Sequence, residues 1–533
     1  MTYPVHRREG LVVGVAALLA SLPVALARMA PSADLGQHEL MVAAMRDFGD
    51  PVRFPASVYQ LSLGNANQLF FLVAWPLSYV VPVDALCRAL LALLVAAVPL
   101  LAARAAHHAG RSPLVGAALA PLALGFAFRW SLISYLLGFV LFLGAMPALD
   151  RLAREPSPKA AARAALWAVA LALAHGSAAF LLATLTAATL VTARRPWRAW
   201  ALIAAPAVVS LAVFGASFLR FQSQVVRETS TPGGYGIALA ARPGLLLWSL
   251  YGPLDPWAHL AVPALLALGL VALARTSPTD GTPRIDRRLG LTAALCLAQF
   301  FAWPSELGGA GLVFHRFALF AAALFALSVR TTQRPLTALR GAVAMAGLAA
   351  MLVALGPLMR IVDGAWRDLD RVIARVEPGS AIAELDLVEV PYTLHVYGAA
   401  VARVVALRGG VTQNDFTIAP QYPVHRHPRA AWYRTRERLF WPQSFMPAAD
   451  FRRFRYALVR RSRRHDTAVL DRAMAPEGRL IAHEGRWSLY ESTLARLPLD
   501  ASEVPLPTPA PETLRQRIAA MGRPFVFPAP AGR

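Results

Sequence analysis

Long apolar runs alternate with short basic segments through the first two thirds of the chain. Each run holds roughly 16–22 residues, the length that an α-helix needs to cross about 30 Å of hydrocarbon. The pattern therefore predicts about eleven membrane-spanning helices. The predicted spans are residues 11–27, 86–103, 113–128, 131–149, 164–175, 177–193, 199–218, 258–274, 289–303, 313–329 and 341–358.

The composition also indicates a membrane protein. The 533 residues are 56% hydrophobic and only 16% charged, with a mean hydropathy of +0.47. A soluble domain of this length cannot bury so much apolar surface, because a folded core needs a polar shell. The formal charge of +22 lies largely in short loops, so we expect no nucleic-acid partner. Cys87 and Cys296 lie in or beside apolar runs, which argues against a disulfide framework and a cysteine-based zinc site.

The basic loops predict the topology. Cytoplasmic loops of membrane proteins are enriched in Arg and Lys, and a cytoplasmic N-terminus puts every short basic loop on that side. This holds only if residues 164–193 form two helices separated at His175; a single helix would move every later loop to the other side. The first run also resembles a signal peptide, but the many later spans favour an uncleaved helix. The loop cations are Arg104, Arg111, Arg151, Arg154, Lys159, Arg163, Arg194, Arg195, Arg198, Arg275, Arg284, Arg287, Arg288, Arg330, Arg334 and Arg340.

The same topology places two loops and the tail outside the cytoplasm. Within a transmembrane domain of residues 1–359, the outer loops are at about 28–85 and 219–257. The first of them contains an apolar stretch, 69–83, whose two prolines suggest a re-entrant or interface-lying helix.

The tail changes composition and predicts a small extracytoplasmic α/β domain over 360–500, followed by a Pro-rich tail over 501–533. Apolar and acidic residues alternate from Ala381 to Val390, the period of a half-buried strand. The remaining predicted elements are a helix over 393–407, a strand over 455–459 and a hairpin over 480–490 that turns at Glu484-Gly485.

Two basic segments of the tail, 422–427 and 452–455, also contain aromatic residues. We expect them to form a solvated face against anionic headgroups of membrane lipid. A metal site at His425 and His427 is the alternative interpretation.

Charged or ionisable groups at the outer ends of spans are the candidate functional residues, because each needs a partner or a water-filled cavity. Asp34 and His38 lie four residues apart, on one face of a helix if this segment is helical. They could act as a general base or hold a divalent cation, or Asp34 could simply cap a surface helix. The full set is Asp34, His38, Glu39, Arg129, His175, Glu306, His315 and Arg316.

Arg316, with His315 beside it, lies at the start of the tenth span. The permanently charged guanidinium suits a phosphate at the membrane surface, and snorkelling to headgroups is the alternative. Glu306 comes shortly before this span as a supporting residue. An anchoring role at a short outer turn is the alternative for Arg129, and a structural role at a helix break is the alternative for His175.

Four short segments resemble the GT-C superfamily of polytopic membrane glycosyltransferases: Asp34–Glu39, Pro304–Arg316, Tyr456–Arg460 and Gly485–Tyr490. In architecture, the resemblance to this superfamily covers the whole chain. Its members transfer a sugar from a polyprenyl-phosphate carrier, usually with inversion. The resemblance implies that Asp34 is the catalytic base or a metal-linked carboxylate. It also implies that Arg316, with His315 and Arg129, meets the carrier phosphate.

Many members have two adjacent acids in the first loop, whereas Glu39 here is five residues from Asp34. This departure leaves the need for a metal open, and a member that has lost its activity is an alternative. The resemblance implies a polyprenyl-phosphate-linked sugar, a cell-envelope acceptor and a bacterial-type inner membrane. The alternatives are a polar-lipid transporter, for which we find no internal repeat, and a non-enzymatic membrane scaffold.

The predicted orientation can be tested with fusions of alkaline phosphatase, which is active only outside the cytoplasm. We expect a fusion after Arg533 to be active and a fusion after Arg163 to be inactive. Fluorescent-protein fusions at the same two positions, which must give the reverse pattern, are the control. An active fusion after Arg163 would contradict the topology.

Overall fold

The fold is a helical membrane domain with a small sheet domain, here described from a computed structural model. The chain divides into two compact units. The first contains Met1–Ala27, Gly64–Phe70 and Arg88–Met359, and the second contains Arg28–Leu63, Phe71–Cys87 and Arg360–Arg533. The structure describes residues 7–28, 34–193, 195–225, 241–252, 254–274, 284–304, 313–331, 337–388, 400–413, 415–418, 422–430, 432–439, 441–462, 465–502, 506, 508–522, 525 and 527.

Helices dominate the described part of the chain. They are α1 (Arg7–Leu26), α2 (Leu35–Arg46), α3 (Leu69–Leu77), α4 (Val83–His108), α5 (Leu114–Ala123), α6 (Phe126–Arg129), α7 (Ile133–Arg154), α8 (Pro158–Ala174), α9 (Gly176–Thr192), α10 (Trp197–Val225), α11 (Arg242–Tyr251), α12 (Pro256–Ala274), α13 (Arg287–Ala302), α14 (His315–Ser328), α15 (Ala338–Ile373), α16 (Ala400–Arg408), α17 (Tyr433–Leu439), α18 (Pro447–Arg453), α19 (Thr467–Met474) and α20 (Leu514–Ala520). The strands are β1 (Tyr59–Leu61), β2 (Ala381–Asp386), β3 (Val411–Thr412), β4 (Val424–Arg426), β5 (Tyr456–Arg460), β6 (Gly478–Glu484) and β7 (Trp487–Ser492).

Each predicted span has a helix. Among the described residues, six helices are long and apolar enough to cross a membrane: α1, α4, α7, α10, α12 and α15. Shorter apolar helices correspond to most of the remaining spans. The stretch 164–193 is indeed two helices, because α8 ends at Ala174 and α9 begins at Gly176. The prediction of a polytopic helical fold is confirmed.

Ion pairs gather the basic loops at one end of the first unit. The Asp150 carboxylate lies 2.7 Å from the Arg288 guanidinium, 2.9 Å from that of Arg154 and 3.5 Å from the His108 ring. Arg111 lies 3.0 Å from Asp286. These contacts join loops that the positive-inside pattern assigned to one side. Which face of the membrane this end occupies stays a prediction.

The second unit contains a five-stranded sheet in the order β3-β2-β5-β7-β6. Strand β2 is parallel to β3 and β5, whereas β7 is antiparallel to β5 and β6. The hairpin of β6 and β7 turns between Glu484 and Trp487, as predicted. Helix α16 covers the second half of the predicted helix, whose first half lies outside the described residues. The predicted α/β character of the C-terminal segment is confirmed.

Most of the predicted first outer loop packs in this second unit. Strand β1 pairs antiparallel with β4, with Tyr59 opposite Arg426. Part of the stretch expected to be re-entrant is the short helix α3, which continues through Pro76.

A buried ion pair connects α2 to α16. One nitrogen of the Arg403 guanidinium donates to both Glu39 oxygens, at 3.0 and 2.9 Å, and the other lies 3.7 Å from Asp84 and from Asp370. The guanidinium also lies 5.9 Å from the centre of the Trp366 ring. One cation thereby links helices α2, α4, α15 and α16.

Removal of this cation should destabilise the protein. We expect Arg403→Leu to cost about 3–5 kcal/mol, because the buried Glu39 carboxylate loses its partner. The measurement is thermal unfolding in detergent. The double variant Arg403→Leu/Glu39→Leu should recover part of the loss, since removal of both charges leaves neither one unpaired.

The control is Arg371→Leu, because Arg371 forms an exposed pair with Glu484 at 3.2 Å and such pairs contribute little. Equal losses from Arg371→Leu and Arg403→Leu would contradict the assignment.

Candidate functional site

Arg316 lies in the first turn of α14 and is held from two directions. The Tyr135 hydroxyl, in the first turn of α7, donates to the Arg316 carbonyl oxygen at 2.6 Å. The Arg316 Nη1 lies 3.0 Å from His175 Nε2. These contacts fix both the backbone and the guanidinium of a residue that is always charged.

His175 forms the break between α8 and α9. A guanidinium can only donate, so His175 Nε2 is the acceptor in its contact with Arg316. The other ring nitrogen, Nδ1, lies 2.8 Å from the Ser177 hydroxyl and 3.1 Å from the Ser177 amide nitrogen, at the start of α9. The Tyr135 ring packs edge-on against the imidazole, with 5.5 Å between ring centres. The structure therefore brings His175 and Arg316 together, although 141 positions separate them in the sequence.

His315 points to a different group of residues. Its Nδ1 lies 2.6 Å from the Ser249 hydroxyl of α11. Its ring centre lies 4.9 Å from that of Trp248 and 5.3 Å from that of Phe126. These two adjacent residues of α14 thus have different partners. His315 contacts α6 and α11, whereas Arg316 contacts His175 between α8 and α9.

Arg129 ends α6 and is only 4% exposed. Its Nη1 has no hydrogen-bond partner among the described residues. Gly252 lies against it, since a Cβ added there would be 3.0 Å from the Arg129 Cγ. Gly252 also has a φ of +69°, which favours glycine. A buried cation with an unused donor is a suitable ligand for an anionic oxygen.

Arg242, in the first turn of α11, was not among the residues predicted for the site. Its Nη1 donates to the carbonyl oxygens of Phe300, Phe301 and Trp303, at 3.1, 2.7 and 2.6 Å, at the end of α13. The guanidinium lies 4.3 Å from the centre of the Phe314 ring, beside His315. Nothing in the sequence distinguishes Arg242 from an ordinary loop cation, because its partners are distant backbone atoms.

Asp34 belongs to the second unit, at the N-cap position of α2. Its carboxylate makes no capping hydrogen bond to the α2 amides, so the simple capping interpretation lacks its usual contact. Burial raises the pKa of the Asp34 carboxyl to about 7. A carboxyl with this pKa is suited to proton transfer near neutral pH.

His38 and Glu39 also lie on α2, but in other environments. The His38 ring stacks on Phe71, with 5.5 Å between ring centres, and meets the edge of Phe416 at 5.7 Å. Glu39 is bound to Arg403, as described above. The two carboxylates of this segment thus differ in their partners. A functional role for either residue stays a prediction.

The prediction of a solvated basic face is wrong for the segment around β4. Arg426 is fully buried, and its Nη2 donates to the Thr412 carbonyl oxygen at 2.8 Å. Burial and the neighbouring His427 lower the pKa of His425 to about 4, so His425 is neutral near pH 7. Its Nε2 lies 2.6 Å from the Gln60 amide. The pairing of β1 with β4 removes this segment from solvent.

No group of three His, Cys, Asp or Glu side chains is arranged for a metal ion in the part of the chain that the structure describes. Glu306 lies outside the described residues. The structure places His175, His315, Arg316 and Arg129 in the first unit, and Asp34, His38 and Glu39 in the second.

This architecture is that of a polytopic helical membrane protein with a small C-terminal sheet. It is similar to two crystal structures of ArnT, a GT-C glycosyltransferase, from Cupriavidus metallidurans. The structure bound to undecaprenyl phosphate aligns with a TM-score of 0.54 at 14% identity, over 90% of this chain and 97% of that one. The apo structure aligns with a TM-score of 0.51 at 13% identity, over the same shares. No family model and no curated protein matches the sequence. The predicted GT-C resemblance is confirmed at the level of the fold.

Proposed function

We propose that this chain is a membrane glycosyltransferase that takes a sugar from a polyprenyl-phosphate carrier. The observation that carries the proposal is an arrangement of cations: Arg316 and Arg242 lie at the start of α14, and Arg129 lies on α6, whose Phe126 ring packs against His315. It occurs in a fold that ArnT shares, and ArnT was crystallised with undecaprenyl phosphate. The reaction would occur at the outer face of a bacterial-type inner membrane, on a cell-envelope acceptor.

The proposed chemistry assigns one step to each candidate residue. The Asp34 carboxylate removes the proton of the acceptor hydroxyl, whose oxygen attacks the anomeric carbon of the sugar. The bond between that carbon and the phosphate oxygen breaks, and the carrier phosphate leaves with the electron pair. Arg316 offsets the charge that builds on this phosphate, and we assign Arg129 and His315 as further contacts of the phosphate. Attack from the face opposite the phosphate inverts the anomeric centre.

The environment of Asp34 supports its role as the base. Because its pKa is about 7, a large fraction is ionised at neutral pH while the group keeps a high proton affinity. Glu39 is less suited, since its oxygens are occupied by Arg403.

Two variants separate the roles of the proposed residues. We expect Asp34→Asn to reduce kcat by about 10²–10⁴-fold with little change in carrier binding, because it removes only the proton acceptor. We expect Arg316→Gln to weaken carrier binding as well as kcat, because the phosphate loses a charged partner in both states. The measurements are sugar transfer from a radiolabelled polyprenyl-phosphate sugar and carrier binding by native mass spectrometry.

The controls are Asp255→Asn, an exposed acid in the second predicted outer loop, and Arg104→Gln, an exposed cation at the other end of the first unit. Full transfer by Asp34→Asn would exclude Asp34 as the base. If the function of the protein were unchanged by both Asp34→Ala and Arg316→Ala, the result would support the non-enzymatic scaffold.

The pH dependence tests the base independently. The raised pKa means that the carboxyl is protonated, and inactive as a base, below about pH 7. We expect kcat/KM to fall about tenfold per pH unit below that value and to level off above it. A profile that is flat between pH 5 and 8 would exclude this assignment, and unfolding curves over the same range check that the protein stays folded.

A further inference from the structure

The segment Gly64–Gln68, here called the Asn67 loop, is bonded to three helices of the first unit. Asn67 Oδ1 accepts from the Gly176 amide of α9 at 3.1 Å. The Asn67 carbonyl oxygen accepts from the Ser134 hydroxyl at the start of α7, at 3.0 Å. The Ala66 amide donates to the Ser217 hydroxyl of α10 at 2.6 Å. One short loop therefore holds the positions of α7, α9 and α10.

Asn67 has the left-handed backbone conformation, with φ +66°. Asn adopts this conformation more readily than other residues with a side chain. The conformation costs free energy, which the bonds to Gly176 and Ser134 offset. Asn67 thus combines an unusual backbone with a side-chain acceptor, and a substitution can remove either feature separately.

The start of α9 has little room to move. A Cβ added at Gly176 would lie 2.3 Å from the Phe214 ring. The first amides of a helix have no carbonyl partner within the helix, so a side-chain acceptor that binds one of them fixes where the helix begins. The bond from Gly176 to Asn67 supplies that acceptor for the residue directly after His175.

His175 is the residue that meets Arg316. Its Nε2 accepts from the Arg316 Nη1 at 3.0 Å, and the ring is anchored on Ser177 in the first turn of α9. The orientation of this ring therefore depends on the path of the chain at 175–177. A continuous set of contacts runs from Asn67 through the start of α9 to the Arg316 guanidinium.

We propose that Asn67 is a positioning residue for Arg316, acting through Gly176 and His175. It keeps the guanidinium in the orientation that receives an anionic oxygen of the carrier phosphate. This inference rests on the proposed function. Without the Asn67 acceptor, the helix start and the imidazole gain freedom, and Arg316 must be ordered when the carrier binds. Asn67 itself does not need to touch the carrier.

The test compares three variants in binding of undecaprenyl phosphate to the purified full-length protein, by native mass spectrometry. Asn67→Gly keeps the left-handed backbone but loses the acceptor, and should weaken binding about five- to tenfold, as for a lost helix-capping bond. Asn67→Asp keeps both features and should stay within about twofold of wild type. Arg316→Gln defines the effect of losing the guanidinium.

The matched control is Ser157→Ala. The Ser157 hydroxyl accepts from the Ala160 amide at 3.3 Å and so caps α8 at its first residue. That cap is about 25 Å along the helix from His175. The variant loses the same kind of bond at a place unrelated to Arg316, so its binding should equal that of wild type.

The outcomes are distinguishable. Weaker binding by Asn67→Gly, rescue by Asp and no effect of Ser157→Ala supports the inference. If wild type binds, Arg316→Gln binds weakly and Asn67→Gly binds like wild type, the inference fails while the proposed function stands. A wild-type protein that does not bind undecaprenyl phosphate overturns both.

If Asn67→Gly does not fold, Ser134→Ala replaces it, since that change removes only the bond to the Asn67 carbonyl oxygen. It should weaken binding by a smaller factor, and unchanged binding would overturn the inference.

Discussion

The permanent charge of Arg316 at the end of an apolar helix is the constraint around which the helical unit is arranged. A guanidinium stays protonated at any pH that cells reach, so burial cannot neutralise it. One of its partners is a neutral acceptor, because His175 Nε2 takes a hydrogen bond from the side chain. The break between α8 and α9 makes this contact possible, because His175 has an extended backbone there and its ring faces Arg316 of α14.

The cations at the two ends of this unit have different kinds of contact. At the end with the basic loops, Asp150 and Asp286 neutralise Arg288, Arg154 and Arg111 in ion pairs. At the other end, the contacts of Arg316 and Arg242 include an imidazole and backbone carbonyl oxygens, and Arg129 Nη1 has no hydrogen-bond partner in the described part of the chain. Neutral partners satisfy hydrogen bonds but leave the positive charge in place.

The second unit separates two nearby carboxylates by the same principle. Glu39 is bound to the Arg403 cation, so its charge is compensated within the protein. Asp34 is desolvated, and its pKa rises to about 7. Different environments of this kind are a common way in which two chemically similar acids acquire different roles. Arg403 therefore has a structural role that affects the chemistry, because it removes Glu39 from the set of available bases.

The sequence alone determined those features that depend on local physics. The length of the apolar runs predicts the spans, because hydrocarbon thickness dictates helix length. The basic loops and the His175-Gly176 pair predict the split of 164–193, and alternation predicts β2 and the β6–β7 hairpin. Arg316 and His175 were identified because a polar group in a span needs a partner. Only the tertiary structure decided which partners they have. The bonds from Arg242 to α13 and from Arg403 to Glu39, the capping of α9 by Asn67, and the burial of Arg426 beneath β1 all join residues far apart in sequence. A hydrogen bond depends on atoms within about 3 Å, and composition and periodicity carry no information about such distances.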